Sequence, residues 1–342
     1  MPASAPAFDE VFDFYRRSGF LYPGKLVALE PRLPAIEATW RALLAPGSDV
    51  FCFVARRRLE GARAVFKNTA CAFAYAPGTW QMQHLVSAER GEYTGTLWVI
   101  ARLVESLHQV GAHYARISFR PNNPGVNRLF GAITEHLPDR LVSRSIVDYG
   151  LAPARPLDVP HDNGVTVLEG LDPTELYARL LHPVELASLR FDDPELAELD
   201  AAYGAAGLTR CRTVFTAVSD DRIVGACLLH HASEGINLSF LENAIEYVRV
   251  APELSAPRRR DVWVTLMGAA IEAVRRRRGY VVVALSPGDR DLAVAARLVA
   301  PNPKQYAVLT IARKDNGLLR GLECLEGYYR ERFRAIAAGT RG

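Results

Sequence analysis

The sequence predicts an α/β protein of the α+β kind: two tandem units, each a mixed, mostly antiparallel sheet flanked by helices. Three observations point there. The chain has 342 residues, more than one compact core usually serves. VFCFVARRRLEGA, from Val50, is echoed without a gap by VFTAVSDDRIVGA, from Val214. Val50, Phe51, Val54, Arg58, Gly61 and Ala62 thereby match Val214, Phe215, Val218, Arg222, Gly225 and Ala226. The elements that follow the two copies also come in one shared order, and self-similarity of that kind decides an architecture before any single element does.

Each copy reads as a strand, a tight polar turn and a second strand, with a glycine just after the turn, where a backbone needs positive φ or close approach. Further strands follow: ACAFAYA and TWQMQHLVS in the first unit, GACLLHH and INLSFLENAIEYVRV in the second. A helix comes next. From Thr96 to Val110, Leu97, Ile100, Ala101, Val104 and Leu107 form one stripe while Arg102, Glu105 and Gln109 fall off it, which is helical periodicity. Its counterpart runs from about Val262 to Arg278. Gly111 and Gly279 stop the two helices, and the strands HYARISF and YVVVALS follow. A further helix and strand complete each unit. The seam is expected at APARPLDVPHDNG, residues 152–164, rich in proline and polar residues, so the units span 1–152 and 164–342. LLRGLECLEGYYRERFRAIAA, near the end, is an amphipathic helix expected to bury its apolar stripe within the monomer, with dimerisation as the alternative.

Composition narrows the function classes. Hydrophobic residues make up 49% and charged residues 23%, as in ordinary globular proteins. No apolar run reaches the roughly 20 residues that cross a bilayer, and the first residues lack the basic and apolar regions of a signal peptide. The five cysteines are scattered, without CxxC or nearby paired histidines, which argues against a zinc site and a disulfide framework; a cytoplasmic protein without metal is expected. A net charge of +3 argues against a nucleic-acid binder. The arginines at 56–58, 258–260 and 275–278 are read as solvated turns and helix ends, the alternative for 258–260 being a grip on phosphates.

The segment SAERGEYTGTLW carries the chemistry of the first unit. Arg90, Gly91 and Gly95 precede a helix expected to begin near Thr96. A glycine-containing loop entering a helix presents unpaired N–H groups and the positive end of the macrodipole, a setting for pyrophosphate, and Arg90 adds a charge-assisted bond. Gly95 reads equally as a helix-entry residue. The segment resembles the acyl-CoA pyrophosphate loop of the GNAT (N-acetyltransferase-like) superfamily, Gln/Arg-x-x-Gly-x-Gly/Ala, with Arg90 and Gly95 at its first and last positions. After the next strand, NPGVNRLF is similar to the superfamily's Asn-x-x-Ala-x-x-Leu-Tyr, placing Asn123, Val126, Leu129 and Phe130 on those positions.

The resemblance implies an N-acyltransferase that moves the acyl group of acetyl-CoA or another acyl-CoA directly to a small-molecule or protein amine. Arg90, Gly91, Gly95, Thr96 and Asn123 would hold the cofactor. Two departures accompany it. Tyr93 stands where the middle glycine is usual, and Phe130 lacks the hydroxyl with which the superfamily's tyrosine protonates the leaving thiolate. A non-catalytic binding or regulatory protein on a degenerate fold is therefore the competing reading. An amine nucleophile has to be neutral, and His84, on the strand leading to the loop, is the candidate general base, with a histidine satisfied inside a sheet as its bland alternative. Glu242 and Glu246 are the comparable candidates in the second unit.

Overall fold

The computed structural model describes residues 6–337, apart from 62, 89–92, 161–162 and 192. Helices α1 (Phe8–Arg17), α2 (Pro23–Leu29) and α3 (Leu33–Leu43) precede the first repeat. The first unit continues with β1 (Phe51–Glu60), β2 (Arg63–Ala76), β3 (Thr79–Ser87), α4 (Tyr93–Gln109), β4 (Tyr114–Phe119), α5 (Pro124–His136) and β5 (Val142–Pro153). The second runs β6 (Thr166–Glu169), α6 (Thr174–Leu180), α7 (Pro183–Leu189), α8 (Leu196–Ala205), β7 (Arg210–Ser219), β8 (Arg222–Ala232), β9 (Ala244–Val250), α9 (Ala256–Arg275), β10 (Tyr280–Leu285), α10 (Arg290–Ala295), β11 (Lys304–Ala312) and α11 (Gly317–Ala337). This is the α+β succession expected from the sequence, present twice.

The six-residue identity that suggested the repeat is out of register with it. Arg58 lies within β1, ahead of its turn, whereas Arg222 opens β8, after its turn. The matched glycines also do different work. Gly61 makes the β1–β2 turn at φ +63°, while Gly225 lies inside β8, where a Cβ would come 2.8 Å from Cγ1 of Val262 on α9. The second hairpin turns instead on Asp220 and Asp221, both at positive φ, as a two-residue turn matched to strand twist requires.

Among the described residues the eleven strands belong to one sheet, ordered β1-β2-β3-β4-β11-β5-β10-β9-β8-β7-β6. The two units have exchanged their last strands. β11 lies antiparallel to β4, with Ala307 opposite Phe119, and β5 lies antiparallel to β10, with Val282 opposite Leu151. No break in the sheet marks residues 152–164. α11 follows β11 across and packs on α4 and α5 of the first unit, with Leu318 and Leu325 buried.

Parallel pairing occurs between β3 and β4, over Thr79–Met82 and Tyr114–Ile117, and between β9 and β10, over Ala244–Glu246 and Val282–Ala284. β3 and β9 both run on past these short pairings, so in each unit the strands part. Where they part, a non-glycine residue takes the left-handed conformation: His84 at φ 51° and Tyr247 at φ 54°. The backbone tolerates such positions only where surrounding structure enforces them.

The sheet also curls on itself. Tyr75 of β2 lies 2.8 Å from Nε2 of His230 on β8, the Tyr203 hydroxyl donates to the Ala74 carbonyl at 2.7 Å, and Gln83 Nε2 donates to the Ile236 carbonyl at 2.7 Å. Inside the curl, Arg116 Nη2 of β4 donates to Glu246 of β9 at 2.7 Å, and Glu246 also receives His230 at 2.9 Å and the Tyr75 hydroxyl.

Candidate functional site

Helices cover the first unit's sheet on both faces. Phe51, Phe53, Arg57 and Phe66 meet α1 and α3, through Phe14, Trp40 and Glu10. Arg56 and Asn68 point to the other face, toward Gly95 at the start of α4. Between the faces, where β3 and β4 part, lies a cavity of about 1080 Å³. Met82 and Ile117 on the parting strands line it, together with Ile100 and Leu103 of α4, Phe130 of α5 and Phe20, Lys25 and Leu29 around α2. A wall built from helices on both faces means that the cavity passes through the gap in the sheet. Its far side comes from the second unit, from residues 237–241 and 294–304.

His84 and Asn123 both line this cavity. Asn123 is the N-cap of α5, its Oδ1 accepting from Val126 N at 3.4 Å, an ordinary capping role. His84 is nearly fully buried, stacked on Trp40 at 5.4 Å and edge-on to Tyr15 and Phe20. Its Nε2 accepts the Leu238 N–H at 3.2 Å, and Nδ1 lies 3.6 Å from Sγ of Cys71. Burial, with Lys25 adding to it, holds the ring well below the usual histidine range. The imidazole is therefore neutral, but the lone pair that a general base needs is already occupied.

Of the other expected cofactor residues, Gly95 and Thr96 do not line the cavity. Arg90 and Gly91 lie outside the described residues. Gly95 and Thr96 sit on the first turn of α4, which begins at Tyr93 rather than at Thr96. At Gly95 a Cβ would overlap the Asn68 carboxamide and the Arg56 guanidinium, so this glycine admits those two side chains to the end of the helix.

In the second unit the structure corrects two expectations. The stretch from Ile236 is no strand until Ala244: residues 235–240 form a loop that crosses to the first unit, where Trp40 Nε1 donates to the Gly235 carbonyl at 2.8 Å. The long helix begins at Ala256, so Arg258–Arg260 fall within its first five residues rather than ahead of it. Arg258 donates to the Asn163 carbonyl, to the Gly164 carbonyl at 3.3 Å and to the Ser219 hydroxyl at 2.7 Å, and so ties the seam to the β7–β8 hairpin. Glu246 is sealed in the Arg116 cluster. Burial alone would raise its carboxyl, but Arg116 and His230 outweigh burial and hold it well below the usual range. Glu242, beside it, is pushed up to about 8 by burial.

No motif or periodicity singles out Lys25, Arg297 or Lys304, which stand in the cavity wall. Arg120 was within reach of one, three residues before Asn123 in SFRPNN. Among the described residues, no group of three or more His, Cys, Asp or Glu is placed to hold a metal ion, and no helix is long and apolar enough to cross a membrane.

No protein-family model and no curated protein matches this chain. Similar solved structures include a tandem GNAT protein from the clavulanic acid biosynthesis pathway, 14% identical, over 85% of this chain and 96% of that one, at a TM-score of 0.40. A GCN5-related N-acetyltransferase from Sphaerobacter thermophilus is 16% identical over 91% and 93% of the two chains, at 0.45. One from Kribbella flavida is 14% identical over 76% and 90%, at 0.38. These are likenesses of fold, and what those proteins act on stays with them.

Proposed function

We propose that the chain is an acyl-CoA-dependent N-acyltransferase that passes an acyl group directly from a thioester to an amine. The observation that carries this reading is the cavity running through the gap between β3 and β4, beside the left-handed residue His84. Strands that part leave N–H groups without sheet partners, and such groups can polarise a thioester carbonyl as charge develops on its oxygen. Acetyl-CoA or another acyl-CoA is the co-substrate, its pantetheine arm in the gap and Asn123 at the rim. Arg90, Gly91, Gly95 and Thr96 are proposed for the pyrophosphate, with the α4 macrodipole behind them. The first unit, 1–152, carries the thioester, and the second, 164–342, supplies the wall facing the acceptor. The cytoplasm is the compartment this co-substrate implies.

In the reaction the amine nitrogen bonds to the carbonyl carbon, the C–S bond breaks, and the thiolate leaves and takes up a proton. His84 serves as base only by exchanging the Leu238 N–H for the amine; in its present contacts it fixes the strand bulge and the facing loop. The wall itself assists. Lys25, Arg120, Arg297 and Lys304 line the cavity and, among the described residues, no carboxylate does, so an ammonium is disfavoured there and the free amine is favoured. Tyr22 and Tyr306, near Arg120, carry the hydroxyls that Phe130 lacks.

Titration calorimetry with acetyl-CoA and longer acyl-CoAs tests the reading, alongside Ile117→Trp, which fills the gap, with thermal melting as a check on folding. Micromolar binding that is lost in a folded variant supports it. A folded wild-type protein that binds no acyl-CoA sinks it. Phe130, packed on Phe119 at 5.5 Å, favours a second reading, an acyl-CoA-binding protein without turnover; binding without thiol release across an amine panel would select that one.

A further inference from the structure

The charges around the cavity are one-sided. Lys25 and Arg120 are half-buried in its wall, and Arg297 and Lys304 stand exposed at its mouth. Among the described residues no Asp or Glu lines it, and no ion pair involves any of these four cations. The inner two are held by neutral aromatic groups instead: Lys25 Nζ lies 3.8 Å from the centre of the Phe20 ring, and Arg120 Nη2 donates to the Tyr22 hydroxyl at 3.2 Å. Burial, and then the Arg120 charge, push Lys25 down to about 7. A lysine weakened by burial and by a neighbouring guanidinium, beside an open cavity, is relieved when an anion enters between the two cations. Phe119, Tyr149, Phe240 and Tyr306 make the nearby wall aromatic.

We propose that this part of the cavity reads a carboxylate on the acceptor, so that the acceptor amine belongs to the amino-acid class, its carboxylate between Lys25 and Arg120 and its apolar side group against the aromatic wall. The proposal rests on the acyltransferase reading. The nucleotide phosphates of acyl-CoA are a poor alternative source of the anion. Lys25 belongs to α2, with the helices that meet Phe51 and Phe66, whereas the pyrophosphate loop leads into α4 on the opposite face. A carboxylate placed here also sets the amine of the same molecule close to the gap, a matter of positioning rather than of acid–base strength.

The test uses the whole protein saturated with CoA, titrated calorimetrically with 3-phenylpropionate, its neutral amide 3-phenylpropionamide and inorganic phosphate. The acid binds about ten-fold or more tightly than the amide, as a charge-assisted bond is worth, and more tightly than phosphate. Lys25→Met and Arg120→Met each lose about that factor for the acid and leave the amide and CoA unchanged. A bound carboxylate raises the Lys25 pKa, so above pH 7 binding takes up a proton, visible as buffer-dependent heat, and acid affinity falls as pH rises. Lys25→Met abolishes the uptake, which a merely structural lysine would not do. Equal affinity for acid and amide, or unchanged acid binding in both variants, overturns the proposal. So does weakened CoA binding in the variants, which would assign the cations to nucleotide phosphate. Failure of wild-type protein to bind CoA while the acid still binds refutes the acyltransferase reading alone.

Discussion

Replacing Arg116 by methionine tests what holds the curled sheet closed. The Arg116 Nη2–Glu246 Oε2 distance is 2.7 Å, and the two side chains are 7% and 6% exposed. Without the guanidinium, Glu246 keeps His230 and Tyr75 but loses the charge that opposes its burial. Breaking a buried pair from one side costs about 3–5 kcal/mol, because it leaves the other charge uncompensated. The sign with pH follows. In the wild type the Glu246 pKa is depressed, so its contribution is present above the unfolded carboxylate value and is lost as pH falls through the folded one. In Arg116→Met burial raises that pKa, and the penalty grows as pH climbs past the unfolded value. The deficit of the variant is therefore larger at pH 7 than at pH 4. Glu246→Leu in the same chain removes the stranded carboxylate and recovers most of the loss, so the double change costs well under the sum of the single ones. Urea unfolding followed by far-UV circular dichroism measures all four proteins. A single-variant cost below about 1 kcal/mol, no change of the deficit with pH, or additive losses would refute the assignment of this pair as the closure of the curl.

Three further outcomes are expected. Glu242, raised to about 8, contributes stability that is whole below its unfolded value near 4.5 and drains away as pH rises through 8, so Glu242→Gln unfolds at higher urea than wild type at pH 9, by about 2–5 kcal/mol, with the two converging at pH 4; parallel curves would refute it. Trp40→Phe removes the bond to the Gly235 carbonyl and leaves that acceptor buried, costing about 1–3 kcal/mol and loosening the loop behind His84, read as faster amide exchange at residues 236–239. The fragments 1–152 and 164–342, made separately, each lack a neighbouring strand and are expected to aggregate, while co-expression yields a complex that co-purifies; two stable monomeric fragments would contradict the strand exchange.

The sequence carried the local elements well and their pairing poorly. The stripe Leu97–Leu107 is set by burial against immediate neighbours, and both that helix and the strand TWQMQHLVS formed, the helix starting three residues earlier than expected. The exchange of β5 and β11 was invisible, because nothing local in either strand states which neighbour it will take. The identity of Val50–Ala62 with Val214–Ala226 pointed to a true duplication through a false register: Gly61 and Gly225 are shared letters serving a turn in one copy and a helix contact in the other. At the site, His84 was legible as a candidate from its place on the strand leading to the glycine-containing loop, and Asn123 from the motif that NPGVNRLF resembles. Lys25 was not, since its significance arises only when α2 folds over a gap between strands and brings it near Arg120, from a segment 95 positions later in the chain.

The exchange has a consequence for how the protein comes into being. A ribosome delivers the chain from its first residue onward, and domains usually fold as they emerge. Here β4 waits with an open edge until residues 304–312 arrive, and α4 and α5 wait for α11 to shelter them. For most of its synthesis the first unit carries an unpaired strand edge of the kind that templates association. Nascent chains stalled short of β11 should therefore need holding by a chaperone, and those stalled a few dozen residues beyond α11 should not.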